Sequence, residues 1–229
     1  MNTLFEIGPN RKDEWLTPPY IVKSLGEFDL DPCSPINRPW TTAKNHYTEL
    51  DNGLTKSWFG RVWCNPPYSD LERWLKKCSY HQNCIALTFA RVDTRLFQHN
   101  VFVNAYSLFF FKGRLQFYHV DGTKPKVNAG APSVLISFNE ENAEAIDIAK
   151  LNGTHIPLFS NVFVVGTTPT WISIVKIAVR RNGNEDLKAL YEMVERIAPD
   201  KVQKNQHWKA KVRQQIQRIR KSNEEICLN

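Results

Sequence analysis

Long apolar runs are missing from this chain. None approaches the roughly 18 residues that a membrane-spanning helix requires, so no membrane partner is expected. Residues Met1 to Asn10 lack the basic-then-apolar layout of a secretory leader, and the expected location is the cytoplasm. Cysteine is sparse: Cys33, Cys64, Cys78, Cys84 and Cys227 make an odd set of five with no Cys-x-x-Cys spacing. That argues against a disulfide framework and for reduced intracellular thiols. The six histidines include no His-x-x-x-His pair, so no metal is expected. Internal repeats and low-complexity tracts are also lacking, and no Gly-x-Gly occurs anywhere.

What is present fits a globular protein. The hydrophobic fraction is 42%, and 229 residues suffice for one medium domain and a small one. The net charge of +7 is unevenly placed. Residues 1–170 carry 17 Lys and Arg against 16 Asp and Glu, a balance of +1; residues 171–229 carry 13 against 7, a balance of +6. A nearly neutral body with a basic tail suits a polyanion partner, nucleic acid first. An ordinary solvated helical surface is the alternative.

From Trp15 to Phe138, short apolar segments alternate with helical ones. Ile21–Leu25 reads as a helix after a Pro-Pro start. Phe28–Leu30, Val62–Cys64 and Cys84–Phe89 read as strands. Asp70–Cys78 is helical, with Leu71, Trp74, Leu75 and Cys78 at 3- and 4-residue spacing. A helix is expected over Thr94–Ala105. Ser107–Phe111 and Ser133–Phe138 are β-rich and read as paired neighbours, and His119–Pro132 is a polar loop. This alternation predicts an α/β sheet with an antiparallel end. Asn142–Leu151 reads as a helix, Val162–Val165 as a strand or linker, and Gly166–Pro169 as a domain break. The expected domains are 1–168 and 169–229. In the second, three apolar stripes at helical spacing (from Trp171, Leu187 and Trp208) predict three short helices of a helix-turn-helix or winged-helix module.

The most informative residues are Asn65-Pro66-Pro67-Tyr68, directly after the Val62–Cys64 strand. Two prolines fix φ and remove two backbone donors, leaving carbonyls that accept. Asn65 adds a side-chain carbonyl, and Tyr68 a flat face on which a base can stack. Such a turn suits holding a planar amino group. A plain strand-ending turn is the bland alternative.

This turn resembles motif IV of the amino-methyltransferases. Further segments fall in the same order: Glu14–Tyr20, Phe28–Cys33, Asp51–Leu54, Val62–Tyr68 and Lys112–Arg114. Together, over about 125 residues, they resemble the phage-type Dam family of DNA N6-adenine methyltransferases. The resemblance implies a Rossmann-like methyltransferase sheet, S-adenosyl-L-methionine as cofactor, double-stranded DNA as substrate and a flipped adenine. A cognate restriction system is a possible further partner. Asn65 and the Pro66 carbonyl would accept from the adenine amino group, with Pro67 stiffening the turn and Tyr68 stacking on the base. Asparagine does not titrate near neutrality, so positioning and electrostatics would carry catalysis.

The resemblance also implies cofactor contacts. Asp31, Pro32, Cys33 and Ser34 stand where motif I follows the first strand, without its usual glycines, and Asp29 shares the strand face of Asp31. Trp15, Thr17 and Pro18 resemble motif X, with the Thr17 hydroxyl on the methionine carboxylate; capping of the next helix is the alternative. Asp51 resembles the motif III acid that bonds the cofactor's adenine, or is merely a turn residue. No acid for the cofactor ribose is visible between Ile36 and Glu49.

Arg91 and Arg95 after one strand, and Lys112 and Arg114 after another, are candidate phosphate contacts, with surface solvation equally open. Lys124 and Lys126 lie on a loop that can touch DNA and help read the target. The C-terminal segment resembles winged-helix domains of restriction and modification proteins. There Lys209, Lys211, Arg213, Gln214, Gln217 and Arg218 would face a DNA groove; a protein-interaction bundle is the alternative. Three readings stay open beside adenine methylation: cytosine N4 methylation, glutamine methylation of a protein (against which the basic tail argues), and a DNA-binding regulator with an inactive body.

Overall fold

The computed structural model describes residues 14–158, 170–182 and 186–227. The chain divides into two compact units, Met1–Ser160 and Asn161–Asn229. The expected strand or linker at Val162–Val165 and the break at Gly166–Pro169 lie outside the described residues.

The first unit holds a seven-stranded sheet. Its strands are β1 (Leu30–Asp31), β2 (Asn45–His46), β3 (Val62–Cys64), β4 (Cys84–Phe89), β5 (Ser107–Phe111), β6 (Ser133–Ser137) and β7 (Gly153–Pro157), in the order β2-β1-β3-β4-β6-β5-β7. β2, β1, β3 and β4 are mutually parallel. β6 runs antiparallel to both β4 and β5, and β7 antiparallel to β5. It follows that β5 points the same way as β1, β3 and β4. The carboxyl ends of these four strands therefore share one sheet edge, where ligands bind in open α/β folds.

The helices of this unit are α1 (Pro19–Ser24), α2 (Leu71–His81), α3 (Phe102–Asn104) and α4 (Glu140–Ile148). β4 shows why both faces are covered. Its residues Cys84 to Thr88 are buried without a break, the mark of a central strand. Alternate residues feed two cores: Cys84 and Ala86 join one with Leu75 and Ile136, while Ile85 and Leu87 join the other with Trp63 and Leu135.

Most expected elements form. Val62–Cys64, Cys84–Phe89 and Ser107–Phe111 are strands, and β5 pairs with β6 over Ser107–Phe110. Three details are added. The helix expected over Thr94–Ala105 forms over residues 95–104, with a π-helical turn, Phe97–Val101, running into α3. α4 starts at Glu140 because Asn139 caps it, its side chain accepting from the Asn142 N–H at 2.9 Å. β2 and β7 carried no readable signal: one has two residues, and the other is an edge strand, largely exposed.

In the second unit, α5 (Trp171–Asn182), α6 (Leu187–Ile197), α7 (Pro199–Gln203) and α8 (Trp208–Cys227) are helical. Ile174, Val175, Ala178, Leu190, Val194, Trp208, Val212 and Ile216 form its core. The Asp186 side chain caps α6 by accepting from the Lys188 and Ala189 N–H groups. Among the described residues four helices thus stand where three short ones were expected, and α8 runs 20 residues. No strand that would supply a wing appears among its described residues.

Candidate active site

A cavity of about 420 Å³ opens over the carboxyl ends of β1 and β3. Trp15 to Thr17 line one wall, Asp31 to Pro35 a second, and the coil with Arg38, Trp40 and Thr42 a third. Thr48, Glu49, Asn52 and Gly53 close it, with Trp63, Asn65, Pro67 and Ser69 at its base.

Asn65 stands at the exit of β3. Its side-chain Nδ2 donates to the Trp15 carbonyl oxygen at 2.8 Å. Trp15 is itself held: Leu16 and Tyr118 exchange two backbone bonds of 2.9 Å, and the Trp15 ring lies 5.0 Å from that of His119. Pro66 is buried. Tyr68 does not line the cavity. Its ring stacks on Phe89 at the end of β4, with centroids 4.6 Å apart and planes 22° apart. Burial pushes its phenol far above the usual range, so it acts as a neutral ring.

Asp31 is buried. It accepts from the Thr42 hydroxyl and, at 3.1 Å, from the Cys33 N–H. Burial nevertheless raises its pKa from 3.8 to about 6, only partly offset by these bonds and by Arg38. Cys33 enters the wall as a neutral thiol, its pKa pushed up by burial to about 11, with its sulfur 3.8 Å from that of Cys64. Beside Thr42, burial and Arg38 lower His46 to about 4, so its imidazole is neutral and Nε2 accepts from the Thr42 N–H. Glu14, raised by burial and then by the charge of Glu49, shares the rim with that residue.

Three buried polar atoms on this cavity have no hydrogen-bond partner: Thr17 Oγ1, Arg38 Nε and Trp40 Nε1. An orphaned buried donor costs about 1–3 kcal/mol. Two N–H donors and a hydroxyl, unpaired on residues that line one cavity, are a set that an anionic or oxygen-rich ligand group satisfies. The three carboxylates Glu14, Asp31 and Glu49 against the single Arg38 suit a ligand that also carries positive charge.

The structure therefore brings together Trp15, Thr17, Asp31, Pro32, Cys33, Ser34, Asn65 and Pro67. Capping does not occupy Thr17, since Pro18 is the residue that precedes α1 and no side chain caps it. Three expected cofactor contacts do not line this cavity. Pro18 lines a different cavity. Asp29 turns its carboxylate to the Arg61 N–H at 2.8 Å, closing the Gly60–Arg61 turn, with Lys44 at 3.7 Å. Asp51 is a turn residue: it accepts from the Thr48 N–H and hydroxyl at 2.9 and 3.1 Å and pairs with Lys56 at 3.2 Å. The motif's glycine reaches the cavity instead. A Cβ on Gly53 would sit 1.9 Å from the Pro32 carbonyl oxygen.

Sequence reasoning missed Arg38, Trp40, Thr42 and Glu49. The first three lie on a proline-broken coil with no periodicity, whose one visible signal is the Arg-Pro-Trp cluster at 38–40, and Glu49 lies in the turn past β2. It also missed Phe89, which reads as an ordinary strand residue.

Among the candidate DNA contacts, Arg91 and Arg95 are exposed beyond the end of β4, and the Arg91 charge bears on the Tyr68 phenol. Lys112, Arg114 and Lys124 meet in a second cavity of about 430 Å³ beyond β5; Lys126 is exposed outside it. In the second unit Lys209, Lys211, Arg213, Gln214, Gln217 and Arg218 are all exposed on α8. Two of them are engaged: Arg213 donates to the Tyr191 hydroxyl at 3.1 Å, and Lys209 lies 5.3 Å from the Tyr191 ring. Among the described residues no helix is long and apolar enough to cross a membrane, and no group of three His, Cys, Asp or Glu is placed to hold a metal ion.

Residues 6–156 are matched by the family model described as DNA N-6-adenine-methyltransferase (Dam). No curated protein and no solved structure matches the chain.

Proposed function

Because the chain belongs to the DNA N-6-adenine-methyltransferase (Dam) family, it is an enzyme that methylates adenine N6 in DNA, and we propose how its residues divide that work. The observation that carries the proposal is the placement of Asn65 at the base of a cavity with three orphaned polar atoms.

S-adenosyl-L-methionine fits this cavity by chemistry: its carboxylate and ribose oxygens answer the unpaired donors, and its sulfonium answers the carboxylates. The cofactor supplies an already activated methyl group. Thr17, Arg38 and Trp40 hold its carboxylate end. Glu49, three residues past β2, takes the ribose hydroxyls, the role left unfilled by the sequence. Asp31, Pro32, Cys33 and Ser34 form the wall against which it lies, and Gly53 lets the opposing loop close on that wall.

Asn65 and Pro66 accept from the adenine amino group and aim the nitrogen lone pair along the cavity axis. Aiming matters because that lone pair is delocalised into the ring. No side chain is required as general base, since the positively charged product amine sheds its proton to water. Tyr68, supported by Phe89, stacks on the base once it leaves the helix. Arg91, Arg95, Lys112, Arg114, Lys124 and Lys126 contact the DNA backbone around the target. The exposed basic side chains of α8 add a second, sequence-independent contact to flanking duplex.

Transfer of tritiated methyl groups from S-adenosyl-L-methionine to unmethylated duplex DNA, with mapping of the modified base, tests this. Label at adenine N6 is expected. Label on cytosine, or on protein alone, overturns it.

A further inference from the structure

The cavity beyond β5 differs in kind from the one over β1 and β3. Lys112, Arg114 and Lys124 line it, and no carboxylate does. It lies at the same sheet edge as Asn65, since β5 is parallel to β3, and three strand spacings away, about 14 Å. That is within one duplex diameter of the methylation site. Lys124 is steadied over the Tyr118 ring, with Nζ 5.5 Å from its centroid.

Above this cavity the loop forms an arch fixed at both ends. The Gln116 side chain donates to the Pro125 carbonyl at 3.0 Å, and the Ala129 N–H donates to the Leu115 carbonyl at 2.8 Å. Between these anchors Lys126, Val127 and Asn128 are exposed, Val127 to 59%. A cation, a branched methyl pair and an amide in a row match what a DNA groove offers: phosphate, thymine methyl and adenine edge.

Resting on the DNA-methylation reading, we propose that the Lys126–Asn128 arch is the sequence reader of this enzyme. It enters a groove beside the target adenine, with Asn128 bonding a base edge and Val127 meeting a thymine methyl. Lys112, Arg114 and Lys124 beneath it hold the phosphates and set the register. Base contacts specify and phosphate contacts position, so the two sets separate experimentally.

The full chain is given S-adenosyl-L-methionine and a pool of unmethylated duplexes of random sequence, and methylated adenines are mapped with their flanks. Asn128→Ala and Val127→Ser are expected to lose discrimination at one or two flanking positions, by roughly tenfold, with donor affinity and melting temperature unchanged. A Lys112→Ala/Arg114→Ala double variant should lower methylation evenly across all flanks and flatten its salt dependence. Flank preferences identical to those of the unaltered protein in both arch variants overturn the proposal. So does an unaltered protein that methylates adenine without any preference, an outcome that leaves adenine methylation itself standing. Absence of transfer to any DNA by the unaltered protein overturns both.

Discussion

Asn65 and Trp15, 50 residues apart in sequence, are joined by a 2.8 Å hydrogen bond from the Asn65 amide to the Trp15 carbonyl. A backbone carbonyl only accepts, so this contact fixes Nδ2 toward Trp15 and commits Oδ1 to the other side. One bond thus orients the acceptor of the Asn65 turn and ties it to the segment that carries Thr17.

Two variants separate these effects. Asn65→Ala removes the acceptor and should lower single-turnover methyl transfer by about 10²–10³, with donor affinity by calorimetry changed little. Asn65→Asp sets a carboxylate oxygen against the Trp15 carbonyl, pushes the Trp15–Thr17 segment away and should weaken donor binding as well. Donor affinities in both variants equal to that of the unaltered protein would show that the Trp15 bond does not position the cavity wall.

The Tyr68 ring stacks on Phe89, so its value to the reaction is its face rather than its hydroxyl. Tyr68→Phe should retain most activity. Tyr68→Ala should lose about 1–3 kcal/mol of base stacking, seen as weaker binding to DNA carrying an abasic partner opposite the target. Phe89→Ala should lie between them, because Tyr68 is then unsupported. A Tyr68→Phe variant as impaired as Tyr68→Ala would refute the stacking role.

Asp31 titrates from 3.8 toward about 6 because it is buried. A raised carboxyl pKa means the folded state holds its proton more tightly than the unfolded chain does. The stability this gives is fully present below pH 3.8 and is lost as pH rises through 6. The loss amounts to about 3 kcal/mol. Denaturation midpoints of the cofactor-free protein should therefore fall across this window relative to Asp31→Asn, which cannot titrate. Parallel pH profiles for the two proteins would remove this account.

Gly53 has no room for a side chain against the Pro32 carbonyl, and its own carbonyl accepts from Trp58 Nε1 and Lys77 Nζ at 2.8 and 3.1 Å. Gly53→Ala must move a doubly anchored backbone. A destabilisation of about 1–3 kcal/mol is expected in urea, with weaker donor binding because the loop and Pro32 share the cavity. Unchanged donor affinity would place this loop outside the site.

Much of this was readable along the chain. The Asn65–Tyr68 turn follows an apolar run whose three residues form β3, and Cys84–Phe89 is apolar throughout because both its faces are covered. In the Asp51–Leu54 segment, however, Asp51 closes a turn and Gly53 meets the cavity. Nothing local distinguishes an acid that caps a backbone from one that meets a ligand, since both need the same exposed donor-facing position.

The sequence by itself determined the central strands, the turn that ends β3 and the separation of a nearly neutral body from a basic tail, because periodicity, proline placement and charge are local properties of the chain. Only the tertiary structure decided that Arg38, Trp40 and Glu49 line the same space as Thr17, that Tyr68 rests on Phe89, and that Lys124 joins Lys112 and Arg114 around one cavity. Those relations arise from strand order and loop closure, which bring together residues whose separation in sequence carries no signal.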